Sequence, residues 1–171
     1  MKTVIPKDFL SRINVSKLAW YGLYFLLAQV LQNILFTQLR ILGVCPLVLP
    51  AVAVAMGMFE GATWGALFSL LLGIFGDMAF VENMVFFTIL LPVLSFAAGF
   101  VANFFINRRF VAYMGAAVLG LLITAAAQIL RTSASDTFSM IMLVTGLLQT
   151  LWSLPFAALA YFLPARVSRG D

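Results

Sequence analysis

Apolar residues fall in long unbroken runs along this chain, separated by short polar links. Six runs stand out, at 18–36, 41–58, 62–80, 84–106, 110–130 and 140–163. Each comes near the roughly 20 apolar residues that a helix needs to cross a hydrocarbon core. The links at 37–40, 59–61, 81–83, 107–109 and 131–139 hold many of the charges. Links this short force consecutive helices to pack side by side in antiparallel order. The pattern predicts an all-α fold, a compact polytopic bundle of six transmembrane helices over 18–163. A basic cytoplasmic segment, 1–17, precedes the bundle and a cytoplasmic tail, 164–171, follows it. The first run is about 19 residues long, and no small-residue cleavage pattern ends it. It therefore reads as a retained span and not as a signal peptide. Upstream, Phe9, Leu10 and Ile13 with Lys7, Arg12 and Lys17 suit either a short surface helix or a basic tail.

Composition excludes several classes. The 171 residues are 64% apolar and 9% charged, against about 45–50% and about 25% in an ordinary soluble domain. Sixteen charged side chains cannot cover a water-soluble globule of this size. There is no histidine, and Cys45 is the single cysteine. The commonest general base, an internal disulfide and any zinc spacing are thereby absent. The net charge of +4 is distributed unevenly. With the N-terminus in the cytoplasm, Lys2, Lys7, Arg12, Lys17, Arg108, Arg109, Arg166 and Arg169 lie inside, and only Arg40 and Arg131 outside. That bias sets both termini on the cytoplasmic side. The basic residues are topology signals at membrane flanks, with Arg108 and Arg109 set against anionic lipid headgroups, and not a nucleic-acid surface. Trp20, Tyr21, Trp64 and Tyr161 fall near the inner ends, where aromatic belts form.

Small and polar residues within the runs mark candidate sites. Gly57, Gly61, Gly65, Ser69 and Gly73 recur every four residues, and Gly76 follows. Such a ridge lets another backbone approach closely, either inside the bundle or from a partner's membrane helix. Ala97, Ala98 and Gly99, and Gly115, Ala116 and Gly120, offer similar surfaces. Pro46 and Pro50 predict a broken or kinked second span, and Pro92 and Pro155 bends in the fourth and sixth. Asp77, near the outer end of the third span, needs a partner, and Arg40 and Arg131 are the basic candidates. Gln32, Asn33 and Gln128 fall at similar depth and complete a predicted outer polar cluster. That cluster suits a hydrogen-bonded knot, a small-molecule pocket or a partner contact. Glu60 and Glu82 read as solvated carboxylates in turns. Ser69, Ser95 and Thr145 have no evident base, and Asp77 has no second carboxylate, so no catalytic, metal or cofactor residue is expected.

Between Cys45 and Phe105 the chain resembles the MreD family of bacterial rod shape-determining membrane proteins. The resemblance rests on Pro46 opening the second span and on Gly57 and Gly61 near its inner end. It continues through GATWGALFSLLLGIFGD, ending in Asp77, and TILLPVLSFAAGFVANFF before Arg108 and Arg109. The stretch after Asp77, MAFVENMVFF, lacks the glycines that family members often carry there. The resemblance implies a non-enzymatic scaffold of the cell-elongation and peptidoglycan-synthesis machinery in the bacterial cytoplasmic (inner) membrane. It implies a fold similar to the substrate-binding components of energy-coupling-factor vitamin transporters. The implied partners are membrane lipids, an MreC-like bitopic protein and the cell-wall synthases near cytoskeletal MreB. Pro46, Gly61, Gly65, Gly73 and Asp77 would then be structural or partner-docking residues. A vitamin-binding transporter component is the alternative, and it requires a cavity lined by several polar and aromatic groups. The outer links offer few such groups, only Arg40, Glu82, Asn83 and residues 131–136. A small pore or proton-coupled carrier ranks below both.

Overall fold

The computed structural model describes residues 15–35, 38, 44–79, 85–104, 110–135 and 139–168. Among these the chain is all-helical, with no β-strand and six α-helices. They are α1 (Val15–Val30), α2 (Leu49–Glu60), α3 (Ala62–Ala79), α4 (Phe86–Phe104), α5 (Phe110–Ser135) and α6 (Met140–Ser168). A π-helical turn, Leu31–Leu35, continues α1. The element order follows the six apolar runs, and α6 continues beyond the expected end of the sixth run, through Pro164 to Ser168.

Two helical stretches, Phe110–Ser133 and Met140–Arg166, are long and apolar enough to cross a membrane. Leu49–Glu60, Ala62–Met78 and Phe86–Ala102 are apolar and shorter. The largest departure from the sequence expectation lies in the second run. Residues 45–48 are not helical, and α2 begins only at Leu49. The prolines explain this. Pro50 has no N–H to give to the carbonyl of residue 46, so a helix running from 41 would break there. In the first turn of α2 the missing donor does no harm, because first-turn N–H groups have no helical acceptor anyway.

α2 is the axis of the molecule. Every residue from Leu49 to Phe59 is buried, as befits a helix that is apolar on all sides. One face, with Leu49, Val52, Ala53 and Met56, packs into a core with Tyr24, Leu72, Phe87 and Leu91. The opposite face, with Ala51, Val54, Ala55 and Met58, packs with Tyr113, Ala117, Leu121 and Ala157. α3 and α4 cover the first face, and α5 and α6 the second.

The glycine ridge settles against the bundle's own helices. A Cβ on Gly57 would collide with the Ser95 carbonyl oxygen. One on Gly65 would lie 2.5 Å from Gly57 Cα, and one on Gly73 2.5 Å from the Phe87 carbonyl oxygen. On α4, a Cβ at Gly99 would come within 2.6 Å of Ala62 Cα. Gly57, Gly65 and Gly73 thus let α2, α3 and α4 touch backbone to backbone. Gly61 differs: it is the turn residue between α2 and α3, with φ at +90°, and its missing side chain would meet nothing within 4 Å. Ser69 and Ser95 are fully buried on α3 and α4.

Two substitutions separate packing glycines from open ones. Gly57→Ala is expected to destabilise the purified protein by about 2 kcal/mol or more, as an overpacked core does. Gly115→Ala, where a Cβ meets nothing within 4 Å, is expected to be neutral or stabilising by up to about 1 kcal/mol. Thermal unfolding in detergent reads both, and equal effects would mean that the close approach is not what holds the helices.

Candidate functional site

Among the described residues, the polar side chains that sequence places in the outer half have neighbours in more than one place. They divide among three places, and the largest group surrounds the break before α2. Pro46 has a carbonyl whose helical donor is missing because residue 50 is proline. Gln32 Nε2 donates to that oxygen at 3.2 Å. The same amide accepts from the Val48 N–H through Oε1 at 2.9 Å. Ser153 Oγ, on α6, accepts from the Leu47 N–H at 2.7 Å and donates to the Gln149 carbonyl at 2.7 Å. Gln29, one turn before Gln32, donates to the Leu72 carbonyl on α3 at 3.0 Å, and Asn33 Nδ2 donates to Gln29 Oε1 at 3.2 Å. Gln32 lies within the π-helical turn, where the wider winding shifts the angular register of the residues that follow.

Two tyrosines extend this pattern inward. Tyr24 donates its hydroxyl to the Ala160 carbonyl at 2.9 Å. Tyr113 donates to the Ala157 carbonyl at 2.8 Å. Tyr161 was expected in an interfacial belt; it is buried instead, with Phe59, Phe110 and Tyr113 around its ring. The size and shape of those rings fill the gap between α2, α5 and α6, which an interfacial position would leave open. Glu60, expected in solvent, is half-buried and accepts a hydrogen bond from the Tyr21 hydroxyl.

The second place is Asp77. Arg40 and Arg131 were its expected partners. Arg40 lies outside the described residues, and the observed partners of Asp77 are at the start of α4. Oδ1 accepts from the Phe87 N–H at 2.9 Å, and Oδ2 accepts from the Thr88 N–H at 2.8 Å and the Thr88 hydroxyl at 2.7 Å. The carboxylate therefore caps a helix N-terminus from a neighbouring helix. It satisfies first-turn donors and places negative charge at the positive end of the dipole. Arg131 sits over the Phe86 ring, its guanidinium carbon 5.8 Å from the centroid, next to the same helix start.

The third place is a cavity of about 220 Å³ between α5 and α6. Gln128 and Gln149 both line it, with Thr132 and Thr145. Gln32 and Asn33 are not among the residues that line it. A larger cavity, about 580 Å³, opens between α4 and α5 over Val54 and Met58 of α2. Its walls are wholly apolar and include Ala97, Ala98, Gly115 and Ala116.

Among the described residues no group of three or more acidic, histidine or cysteine side chains gathers to hold a metal. Among the described residues the buried Ser69 and Ser95 hydroxyls have no hydrogen-bond partner. Sequence reasoning missed Gln29, Ser153, Tyr24 and Tyr113. For Ser153 the signal is the break at Pro46 and Pro50, and for Tyr24 it is Pro164, which has no N–H to give to the Ala160 carbonyl.

Removing either clamp should expose this dependence. Gln32→Leu leaves a buried carbonyl and a buried N–H unpaired, and is expected to cost about 2–6 kcal/mol at about 1–3 kcal/mol for each group. Asp77→Leu is expected to cost about 1–2 kcal/mol as a lost cap, with Asp77→Asn intermediate because its amide oxygen still accepts. Unfolding midpoints of the three variants test the order, and an unaffected Gln32→Leu would rule out the clamp. No family model matches the chain, and comparisons with curated proteins and with solved structures find no match either.

Proposed function

We propose that this chain is a six-span membrane scaffold of the bacterial cell-elongation machinery, MreD-like, and that it holds an MreC-like bitopic partner without doing chemistry itself. The membrane part rests on the distribution of side chains. Large apolar residues lie outside: Leu71, Phe75, Ile89, Val93, Leu119, Leu151 and Leu159 are each at least half exposed. Inside, the apolar core also holds small and polar residues, among them Gln29, Gln32, Ser69, Ser95, Thr124 and Ser153. An exposed apolar surface this extensive fits lipid far better than water. α3 and α4, at 18 and 19 residues, reach about 27–28 Å at about 1.5 Å per residue. That is close to a hydrocarbon thickness of about 30 Å. α2 and its extended lead-in would together make the remaining crossing, as a discontinuous helix buried in protein.

The observation that carries the scaffold reading is the use made of the interior polar groups. Gln29, Gln32, Ser153, Tyr24, Tyr113 and Asp77 each bond a backbone group of another element. They fasten helices to one another and are spent on backbone partners. The vitamin-binding alternative needs polar groups turned toward a ligand. The apolar cavity between α4 and α5, with small residues on both walls, is instead suited to the close approach of a membrane helix.

A mild-detergent pull-down of the tagged protein from its native membrane, read by mass spectrometry, tests this function. Recovery of a bitopic MreC-like protein together with cell-wall synthases is the expected result. Recovery of an ATPase pair with a second membrane subunit would overturn it in favour of a transporter component. Cytoplasmic labelling of both termini in intact cells is expected as well, and opposite sides would rule out an even number of spans.

A further inference from the structure

The contact between α5 and α6 changes character along its length. Toward the inner end Tyr113, Ala117 and Leu121 of α5 meet Ala157 and Tyr161 of α6 in an apolar core. Toward the end where the two helices are joined, they enclose the cavity of about 220 Å³. Each helix brings the same pair of polar residues to it. Thr132 stands one turn beyond Gln128 on α5, and Thr145 one turn beyond Gln149 on α6, both on the side of the joined ends. The two threonines and two glutamines make a polar track that leads from the joined ends into the contact.

The groups along this track keep their hydrogen-bonding capacity. Gln128 and Gln149 accept bonds from Thr132 and Ser153 through their backbone carbonyls. Among the described residues their side-chain amides make no hydrogen bond, whereas Gln29 and Gln32 spend theirs on backbone groups. Thr132 and Thr145 give their hydroxyl protons to their own helices, and each oxygen can still accept.

Depth makes this matter. α5 has 26 residues and α6 has 29, about 39 and 44 Å at about 1.5 Å per residue. Centred on a hydrocarbon core of about 30 Å, they place both threonines at its surface and both glutamine amides about 6 Å below it. An amide left without a partner at that depth is costly.

We propose that water enters between α5 and α6 from their joined ends and is bound between the amides of Gln128 and Gln149. One water needs only about 10–15 Å³ of such a cavity and two to four polar partners. Here the two amides supply four donors and two acceptors, and the threonine oxygens two acceptors more. No charged and no aromatic side chain lines the cavity, so nothing in it selects an ion or a flat ring. The α5–α6 contact is then dry in its inner half and hydrated in its outer half. The inference rests on the membrane-spanning part of the proposed function and on nothing said about the bitopic partner.

Water-edited solid-state nuclear magnetic resonance of the full-length chain in liposomes, with isotope-labelled glutamine and leucine, tests this. Gln29 and Gln32, buried and bonded to backbone, are internal controls. Magnetisation from water is expected to reach the side-chain amides of Gln128 and Gln149 and not those of Gln29 and Gln32. In Gln128→Leu the transfer to Gln149 is expected to fall, because the shared water loses one of its two amide partners. Leucine suits a helix, and unchanged Gln29 and Gln32 signals report that the variant is folded. Leu151 and Leu159, exposed on α6, are expected to receive magnetisation from lipid chains. Amides at 128 and 149 as dry as the controls, or a Gln149 signal indifferent to Gln128→Leu, would overturn the proposal. Dry amides beside leucines in contact with lipid would remove the bound water alone. Water at those leucines would overturn the membrane-spanning reading and the bound water with it.

Discussion

Three backbone groups at 46–48 must find hydrogen bonds in a core that has no water to offer, and the placement of several helices follows from how they do. Pro50 removes the donor that the Pro46 carbonyl would have had. Gln32 replaces it and takes the Val48 N–H with its other end, while Ser153 takes the Leu47 N–H. To reach these groups α1 must lie beside the break, and α6 must bring residue 153 to it from the far side. The break is thus the point at which the first, second and sixth helices are pinned together. Each bond adds only about 1 kcal/mol net, whereas an unpaired buried group costs about 1–3 kcal/mol. The constraint therefore acts mainly by excluding arrangements in which the groups go unpaired.

Once the lead-in is satisfied, α2 can be enclosed completely, and that demands close neighbours. Gly57, Gly65, Gly73 and Gly99 supply the closeness by bringing α2, α3 and α4 to backbone contact. Helices that approach this tightly gain dispersion over many atom pairs. They also bring helix ends within reach of one another. Asp77, near the end of α3, meets the opening turn of α4 and binds two of its free N–H groups. A charge that looked expensive in the sequence becomes part of the α3–α4 connection.

The number and order of the helices were legible in the runs of apolar residues. The break in the second run was legible in Pro46 and Pro50, and the need of Asp77 for a partner was legible in its depth. Depth along a helix axis can be counted from the sequence. The direction a side chain faces cannot, where a helix is apolar nearly all round and carries no polar stripe to orient it. That is why Gln32 and Gln128, at similar depth, were placed together and prove to face different neighbours. The bonds of Gln29, Tyr24 and Ser153 join positions 43, 136 and 106 apart in the chain. No local spacing announces contacts of that span. The partner of Asp77 was missed for a different reason: charge suggests an ion pair, whereas a helix N-terminus offers directed donors 10 and 11 residues downstream.

The interior of this protein holds polar groups beside its large apolar ones, while large apolar residues also cover its surface, an arrangement that water does not favour. Water would drive Leu119, Leu151 and Leu159 inward and leave the glutamines outside. Here those leucines are exposed, and Gln29 and Gln32 are buried. In lipid the outward leucines lose nothing, and the inner surface is free to be built from small residues that pack closely and polar ones that bond across helices.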